Sequence, residues 1–497
     1  MSQELGRVVF SRDRYARSWS LGDRGNPLVK TPILIQLRGD PELEDFLAPF
    51  KSFTDDKIPA TLSVESKLNL SPPDFAVNAP NWETSIGHVL PPSLEEADAG
   101  ELAGIGPLLP VSWQRLSHDE SLVDPDLKPA IVVLVDAAQL AAQPERLIKA
   151  IHVLKSRFPG ALLWAPGIGG PDNAAVLCWF GVDIFDLSRS RMCSSAGAIL
   201  STSGPRMPVE SMGESSDMSV QIEQWKQSLA SIKSHLSSGN LRSLVDKQSL
   251  NSPKLVEHLR VHDKLCTGQD GLLSSHVDKE KQLDCSSNSS LSDPVIGEWY
   301  EFISHNYRAP EGLDKVLILL PCSARKPYRF SKSHGRFIRA INNNSCHEVM
   351  VTSPLGLVPR DLEEVWPASH YDIPVTGDWT SDEVLRTQNT LLSLLQRHEY
   401  KLVINHSSMK LTTGDVKLIE TRDGMSAGKH EALENLSDAV KEALVEFEVP
   451  NRRNNKSLMD TFASVARKQM KNDTWLKGVS IRGKPPFWRL ELNNKQI

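Results

Sequence analysis

Short apolar runs alternate along this chain with stretches of helical periodicity, and few folds accept that alternation. "PILIQL" (32–37), "AIVVLVD" (130–136), "ALLWAPG" (161–167) and "GVDIFDL" (181–187) are too short for helices and too continuous for half-exposed strands. They read as strands buried on both faces, as in a parallel sheet. "PERLIKAIHVLKSRF" (144–158) and "PDNAAVLCWF" (171–180) read as the helices between them. The pattern predicts βα units over residues 1–198 in a degenerate (β/α) barrel-like domain. Residues 199–266 form a linker and helical segment, with a helix over 222–248 that breaks at Ser238-Gly239. Residues 267–294, rich in Ser, Asp and Gly, form a low-complexity linker.

A second α/β pattern fills 295–448. Strands are expected at "KVLILLPC" (315–322), "HEVMVTSP" (347–354) and "YKLVINH" (400–406), with helices over 333–344, 381–398 and 433–448. Such a doubly wound domain places its ligands beyond the carboxyl ends of the strands. Three strand ends carry polar groups there: Cys322, Ser353-Pro354 and Asn405-His406. The fold class is therefore α/β, closed by a short basic α+β segment over 449–497.

Composition narrows the function classes. The chain has 497 residues, 40% apolar and 24% charged, enough for several packed cores. Its longest apolar stretch (130–142) is interrupted by Asp136, and the first residues lack the apolar core of a signal peptide, so a cytoplasmic protein is expected. Six cysteines, none in a C-x-x-C pair, read as free thiols rather than a disulfide framework or a metal site. A net charge of −6 excludes an overall basic surface for nucleic acid. A local patch remains at Arg452, Arg453, Arg467, Lys468, Lys471, Arg482 and Lys484, interleaved with Trp475, Phe487 and Trp488. Those types neutralise phosphates and stack on bases, and the plain alternative is a solvated helix face followed by an aromatic strand.

The chemistry concentrates after the strand at 315–322. Cys322 is followed by Arg325, Lys326 and Arg329, charges that favour a thiolate, and a helix opening near Ser333 would add its positive end. His334 is a candidate proton shuttle for that nucleophile. The plain alternative is a strand-end cysteine that packs as a small apolar group.

The string "PCSARKPYRFSKSH" fits P-C-x3-K-P-Y-x2-S-x2-H at Pro321, Cys322, Lys326, Pro327, Tyr328, Ser331 and His334. This resembles the signature of archaeosine synthase, the archaeal paralogue of tRNA-guanine transglycosylase. "SPLGLVPRDLEEVWPASHYDIPVTGDW" (353–379) is similar to that family's next block, and 163–186 and 238–248 to its transglycosylase-like N-terminal domain. The resemblance implies action on tRNA carrying 7-cyano-7-deazaguanine (preQ0) at position 15. An amine nitrogen from lysine or glutamine is added to the nitrile. With lysine, a radical S-adenosylmethionine lyase partner releases archaeosine. It implies Cys322, Lys326 and His334 as catalytic residues, and Tyr328, Ser331, Ser353 and Asp372 as substrate contacts. A homodimer is implied by resemblance alone.

The chain departs from the family in its two terminal regions. Asp186 matches the transglycosylase nucleophile, but the Pro-Thr-Arg that follows it in the family is absent, and so is an Asp-Ser-Gly-Gly string. No C-x-C-x-x-C occurs between 199 and 294, so no zinc of the family's kind and no certain cofactor is expected. After 459–497 the sequence leaves too few residues for the family's PUA module: either a separate protein supplies it, the sequence is truncated, or the basic residues 452–489 suffice. Three functions follow: a synthase, a non-catalytic tRNA-binding subunit, or, setting the resemblance aside, a generic cysteine hydrolase. Retained base exchange is a further, weaker alternative.

Overall fold

The computed structural model describes residues 7–23, 26–37, 40–51, 108–267, 281–287, 289–373 and 379–449, and the backbone of 479–484, 487–492 and 495–496. The chain divides into two compact units, Met1–Pro294 and Val295–Ile497.

The first unit begins with an antiparallel sheet of β1 (Arg7–Asp13), β2 (Ala16–Asp23) and β3 (Asn26–Lys30). Its main sheet has six strands: β4 (Ile33–Gln36), β5 (Phe50–Lys51), β6 (Leu108–Val111), β7 (Ile131–Leu134), β8 (Leu162–Trp164) and β9 (Ile184–Phe185). They lie in the order β5-β4-β9-β8-β7-β6, and every pairing is parallel. Alternate residues serve two cores, as the strand's period of two requires. Leu34, Val132, Leu134, Leu163 and Phe185 face the helices. Ile33, Ile35, Ile131, Val133, Leu162, Trp164 and Ile184 pack on Trp19, Leu21 and Val29 of the antiparallel sheet. Each such side chain contributes roughly 1.5–3 kcal/mol by leaving water.

Around the sheet run α1 (Trp113–His118), α2 (Ala137–Leu140), α3 (Pro144–Arg157), α4 (Ala174–Phe180), α5 (Ser188–Ser195), α6 (Met218–Ser238), α7 (Leu241–Ser249) and α8 (Pro253–Cys266). α3 starts with Pro144 and Glu145 and ends with Lys155 and Arg157, an order that suits the helix dipole. Gly239, at φ +70°, ends α6 and separates it from α7. Ser252 caps α8 by accepting from the Leu255 amide. The hairpin β10 (Ile199–Ser201) with β11 (Gly204–Arg206) and the two-residue β12 (Leu283–Asp284) complete the described strands of this unit.

The second unit opens with α9 (Pro294–Glu301), then β13 (Val316–Pro321), α10 (Lys332–Ile341), β14 (His347–Thr352), β15 (Gly356–Pro359), β16 (Tyr371–Asp372), α11 (Ser381–Gln396), β17 (Leu402–Asn405), β18 (Lys417–Glu420) and α12 (His430–Glu446). Its sheet has the order β15-β14-β13-β17-β18, parallel except for the antiparallel edge strand β15. The chain leaves β13 in one direction to reach β14 and returns past it to β17. Right-handed crossovers of opposite sense put α10 and α11 on opposite faces. The point where the order reverses lies between β13 and β17, at whose carboxyl ends stand Cys322 and His406. β19 (Val479–Lys484), β20 (Phe487–Leu492) and β21 (Lys495–Gln496) form an antiparallel sheet.

The barrel-like expectation for 1–198 meets an arc: β5 and β6, its two end strands, are not paired with each other among the described residues. Of the basic patch, Arg452, Arg453, Arg467, Lys468 and Lys471 lie outside the described residues. Arg482 and Lys484 fall on β19, where only the backbone is described. Residues 268–280 and 288 of the 267–294 linker also lie outside them. Among the described residues no helix is long and apolar enough to cross a membrane.

Candidate functional site at the end of β13

β13 is apolar over Val316–Leu320 and buried throughout, so its strand ends where Pro321 withholds a ladder donor. β13 and β14 run parallel with Pro321 opposite Val351. The next step brings Cys322 beside Thr352. The half-buried Cys322 thiol is hydrogen-bonded to the Thr352 side chain and lies in the field of Lys326. Burial outweighs both and raises the thiol above its ordinary value. The resting group is therefore a thiol, not the thiolate expected from the run of basic residues.

The reason is where those basic residues go. Arg325 is exposed. Arg329 turns to Glu363 at 2.6 Å and Glu364 at 3.1 Å. The start of α10 is capped internally: Ser331 accepts from the His334 amide at 3.2 Å. Among the described residues, Lys326 is the charge that acts on the sulfur, and its ammonium sits 4.0 Å from the centre of the Tyr371 ring.

Beneath the thiol lies a cluster of hydroxyls. Tyr328 is fully buried, and its Oη reaches Thr352 Oγ1 at 3.3 Å and also bonds Tyr371 Oη. Tyr371 Oη bonds Thr352 Oγ1 in turn at 2.5 Å. Thr352 thus joins the cysteine to two phenols in a low-dielectric pocket, where such networks strengthen. Burial raises the phenol of Tyr328, and that of Tyr371 well above its usual range, so both remain protonated. Tyr328, implied above as a substrate contact, has no exposed ring face.

His334 is equally internal. Its ring packs on Tyr328 and Phe337, and Arg360 donates to its Nδ1 at 3.0 Å. That contact puts the ring proton on Nε2, for which the Pro321 backbone carbonyl is the hydrogen-bond acceptor. Burial and Arg360 push its pKa down to about 3, so it stays neutral across the physiological range. Arg360 is held by Glu348 at 2.7 Å and Glu363 at 2.9 Å. The imidazole is thus fully buried and neutral at rest.

The remaining candidates scatter. Ser353 bonds Glu383, which completes the capping box of α11 with Thr380. Asp372 is exposed at the end of β16, next to residues outside the described set. His406 at the end of β17 is consumed by Thr421 at 2.7 Å and the Ala427 carbonyl at 3.0 Å. The structure thus brings together Cys322, Lys326 and Tyr328 of the predicted set and adds Thr352 and Tyr371, which sequence reasoning missed. Their signal was available: Thr352 ends the neighbouring strand, and Tyr371 precedes the singled-out Asp372.

In the first unit, Asp186 follows β9 and is 1% exposed. Its carboxylate accepts from Trp164 Nε1 at 3.2 Å and from the amides of Gly167 and Ser188 at 2.8 and 2.9 Å. Both oxygens are engaged in the fold.

Residues 296–440 match a family described as a domain of unknown function, DUF5591. The archaeosine synthase subunit alpha of Methanosarcina acetivorans is 31% identical over 306 residues, 56% of this chain and 48% of that protein. The archaeosine synthase subunit alpha of Thermoplasma acidophilum is 32% identical over 277 residues, 55% of this chain and 52% of that protein. A tRNA-guanine(15) transglycosylase of Methanothermobacter thermautotrophicus is 24% identical over 281 residues, 52% of this chain and 42% of that protein. The chain spans about half the length of the curated relatives it matches. Among solved structures, the crystal structure of AF0587, a protein of unknown function, aligns at 20% identity over 40% of this chain and 65% of its own, with a TM-score of 0.27. That score carries no argument about fold.

Proposed function

We propose that this chain is a tRNA-modifying enzyme of archaeosine biosynthesis. It would add an amine nitrogen to the nitrile of preQ0 at position 15 of tRNA. Similarity to archaeosine synthases supports the pathway, and the half-buried Cys322 beside Thr352 and Lys326 supports the chemistry. The Cys322 sulfur adds to the nitrile carbon as the thiol proton passes to the nitrile nitrogen, giving a thioimidate. The amine then attacks the same carbon, the carbon–sulfur bond breaks, and the thiol recovers its proton, leaving an amidine. One hard step is split into two easier ones. Thr352 orients the thiol, and Lys326 stabilises negative charge at sulfur. His334 and Ser331 hold the loop, and Asp372 remains a substrate contact for the purine edge or the amine. Lysine or glutamine is the donor. With lysine, a radical S-adenosylmethionine lyase would complete the product.

The fold of the first unit fits a degenerate transglycosylase-like domain. Its parallel strands follow one another in barrel order, with β9 returning to pair with β4. The engaged Asp186 supports docking, not base exchange. The basic residues 452–489 would grip the tRNA backbone. A second reading, a tRNA-binding subunit whose partner does the chemistry, is favoured by the relatives named as subunits.

Mass spectrometry of nucleosides from preQ0-tRNA incubated with the full chain and lysine or glutamine tests both. An adduct at the preQ0 mass plus donor, absent with Cys322→Ala, supports the synthase and names the donor. Unchanged preQ0 with retained tRNA binding replaces it with the subunit reading. Full activity of Cys322→Ala removes the covalent step and leaves direct attack by the amine.

A further inference from the structure

Away from that site, three donor side chains converge inside the first unit. His152 projects from the middle of α3, and His262 and Cys266 stand one turn apart on α8, which packs against it. His152 and His262 are 0% exposed and Cys266 is 3% exposed. One ligand atom from each lies within 4.8 Å of the other two. Tyr15 adds a fourth donor, its hydroxyl hydrogen-bonded to the Cys266 side chain.

The distances decide what holds these groups together. Cys266 Sγ is 3.9 Å from His152 Nε2 and 3.7 Å from His262 Nε2. Both are at the outer reach of a sulfur hydrogen bond, and one thiol proton cannot serve two imidazoles. A tetrahedral cation with bonds of about 2.0–2.1 Å to nitrogen and about 2.3 Å to sulfur sets its ligands roughly 3.4–3.7 Å apart; the two sulfur–nitrogen separations approach that, and all three ligand atoms lie within 4.8 Å of one another. Asp263 Oδ1 lies 3.5 Å from His262 Nδ1. It favours the proton there and leaves Nε2 to bind, the usual arrangement of a carboxylate behind a metal-bound histidine.

We propose that His152, His262 and Cys266, with the Tyr15 hydroxyl as fourth donor, form a structural zinc-class site that ties α3 to α8. The nitrogen and sulfur donors select a borderline-soft cation over magnesium or calcium. Burial on every side leaves no open position for a substrate, so the role is a clamp. The set owes nothing to a C-x-C-x-x-C motif: its one cysteine comes from "VHDKLC" (261–266), and its other helix lies more than a hundred residues earlier.

The full chain, purified without chelator, is assayed for metal by inductively coupled plasma mass spectrometry and then titrated with Co(II) after metal removal. About one zinc per chain is expected, with a thiolate-to-cobalt charge-transfer band. Cys266→Ser should lose the band and at least ~10-fold in affinity, while Cys193→Ser keeps both. A chain without metal and without the band overturns the site, as does full metal content with unchanged affinity in folded Cys266→Ser. If Cys266→Ser does not fold, His152→Gln, which keeps a polar side chain of similar length, is judged by affinity alone, since it retains the thiolate: a loss of at least ~10-fold is expected, and unchanged affinity overturns the site. If neither folds, the presence or absence of the band in the unmodified chain decides.

Discussion

Asp186 and Cys322 occupy matching places in the two units. Each is the first residue after a parallel strand, at the carboxyl end where α/β sheets present ligands. Their surroundings differ. Asp186 is 1% exposed, and three donors engage its carboxylate. Cys322 is half-buried, with one hydroxyl partner and one nearby ammonium. Position at a strand end is therefore not enough for chemistry. A group must also keep bonding capacity that the fold has not used, and the first unit has used it.

The strongest test of that contrast is a pair of substitutions read in one assay. Cys322→Ala should lower adduct formation on preQ0-tRNA by about 10³-fold or more, the scale of losing a covalent nucleophile. Asp186→Asn should leave turnover within about threefold. It should destabilise the chain by roughly 1–3 kcal/mol, because its new amide faces donors where an oxygen accepted. Loss of activity in a folded Asp186→Asn, with Cys322→Ala unaffected, would invert the assignment of the two units.

The second test concerns histidines that the second unit has absorbed as the first absorbed Asp186. His334 and His347 are pushed down to about 3, and His406 to about 4, chiefly by burial. All three are neutral when folded, whereas the unfolded chain protonates them below pH ~6.5. Their stabilising share is complete above that value and is lost as pH falls from ~6.5 towards 3–4. Each steepens the decline by up to roughly 1.4 kcal/mol per pH unit. Denaturant midpoints at pH 7.5 and 5 should differ accordingly, and His334→Gln should remove one histidine's share of the slope. A wild-type midpoint that does not move between these pH values contradicts the neutral assignment.

The sequence told strands from helices well because buried parallel strands are continuous and their helices amphipathic. β13, α10, β14, α11, β17 and α12 all fall within two or three residues of the expected segments. It was weaker on roles. Arg329, His334 and Ser331 have the side chains of a reactive site, but their partners Glu363, Arg360 and the His334 amide come from contacts that spacing alone does not reveal. Thr352 and Tyr371 were passed over for a related reason: hydroxyls carry no motif, and register alone puts Thr352 beside Cys322. The thiol's raised pKa was misjudged because charge is visible in a sequence and desolvation is not.

A smaller effect is expected from Tyr371→Phe. The ring remains under the Lys326 ammonium, but Thr352 and Tyr328 lose a shared hydroxyl in a dry pocket. The thermal midpoint should fall by the equivalent of about 1–3 kcal/mol. Adduct formation should slow by roughly tenfold as Thr352 loses its orientation. Thr352→Val should slow it at least as much. Unchanged turnover in both would confine this network to packing.

The finest test isolates the one charge that still acts on Cys322. The thiol is raised by burial and pulled back by Thr352 and Lys326. Lys326→Met keeps most of the stem and removes the ammonium, so the thiolate loses its only cationic neighbour among the named groups. The pKa should then rise further, because a partly screened charge no longer favours the thiolate. Alkylation of Cys322 by iodoacetamide, followed from pH 7 to 10 by peptide mass spectrometry, reads this directly, because only the thiolate reacts. The whole profile should move to higher pH, while that of half-buried Cys193 stays in place. Added salt should shift the wild-type profile in the same direction and leave Lys326→Met nearly still. If the two profiles coincide, Lys326 serves substrate binding alone, and the thiol relies on Thr352 and the incoming nitrile for its activation.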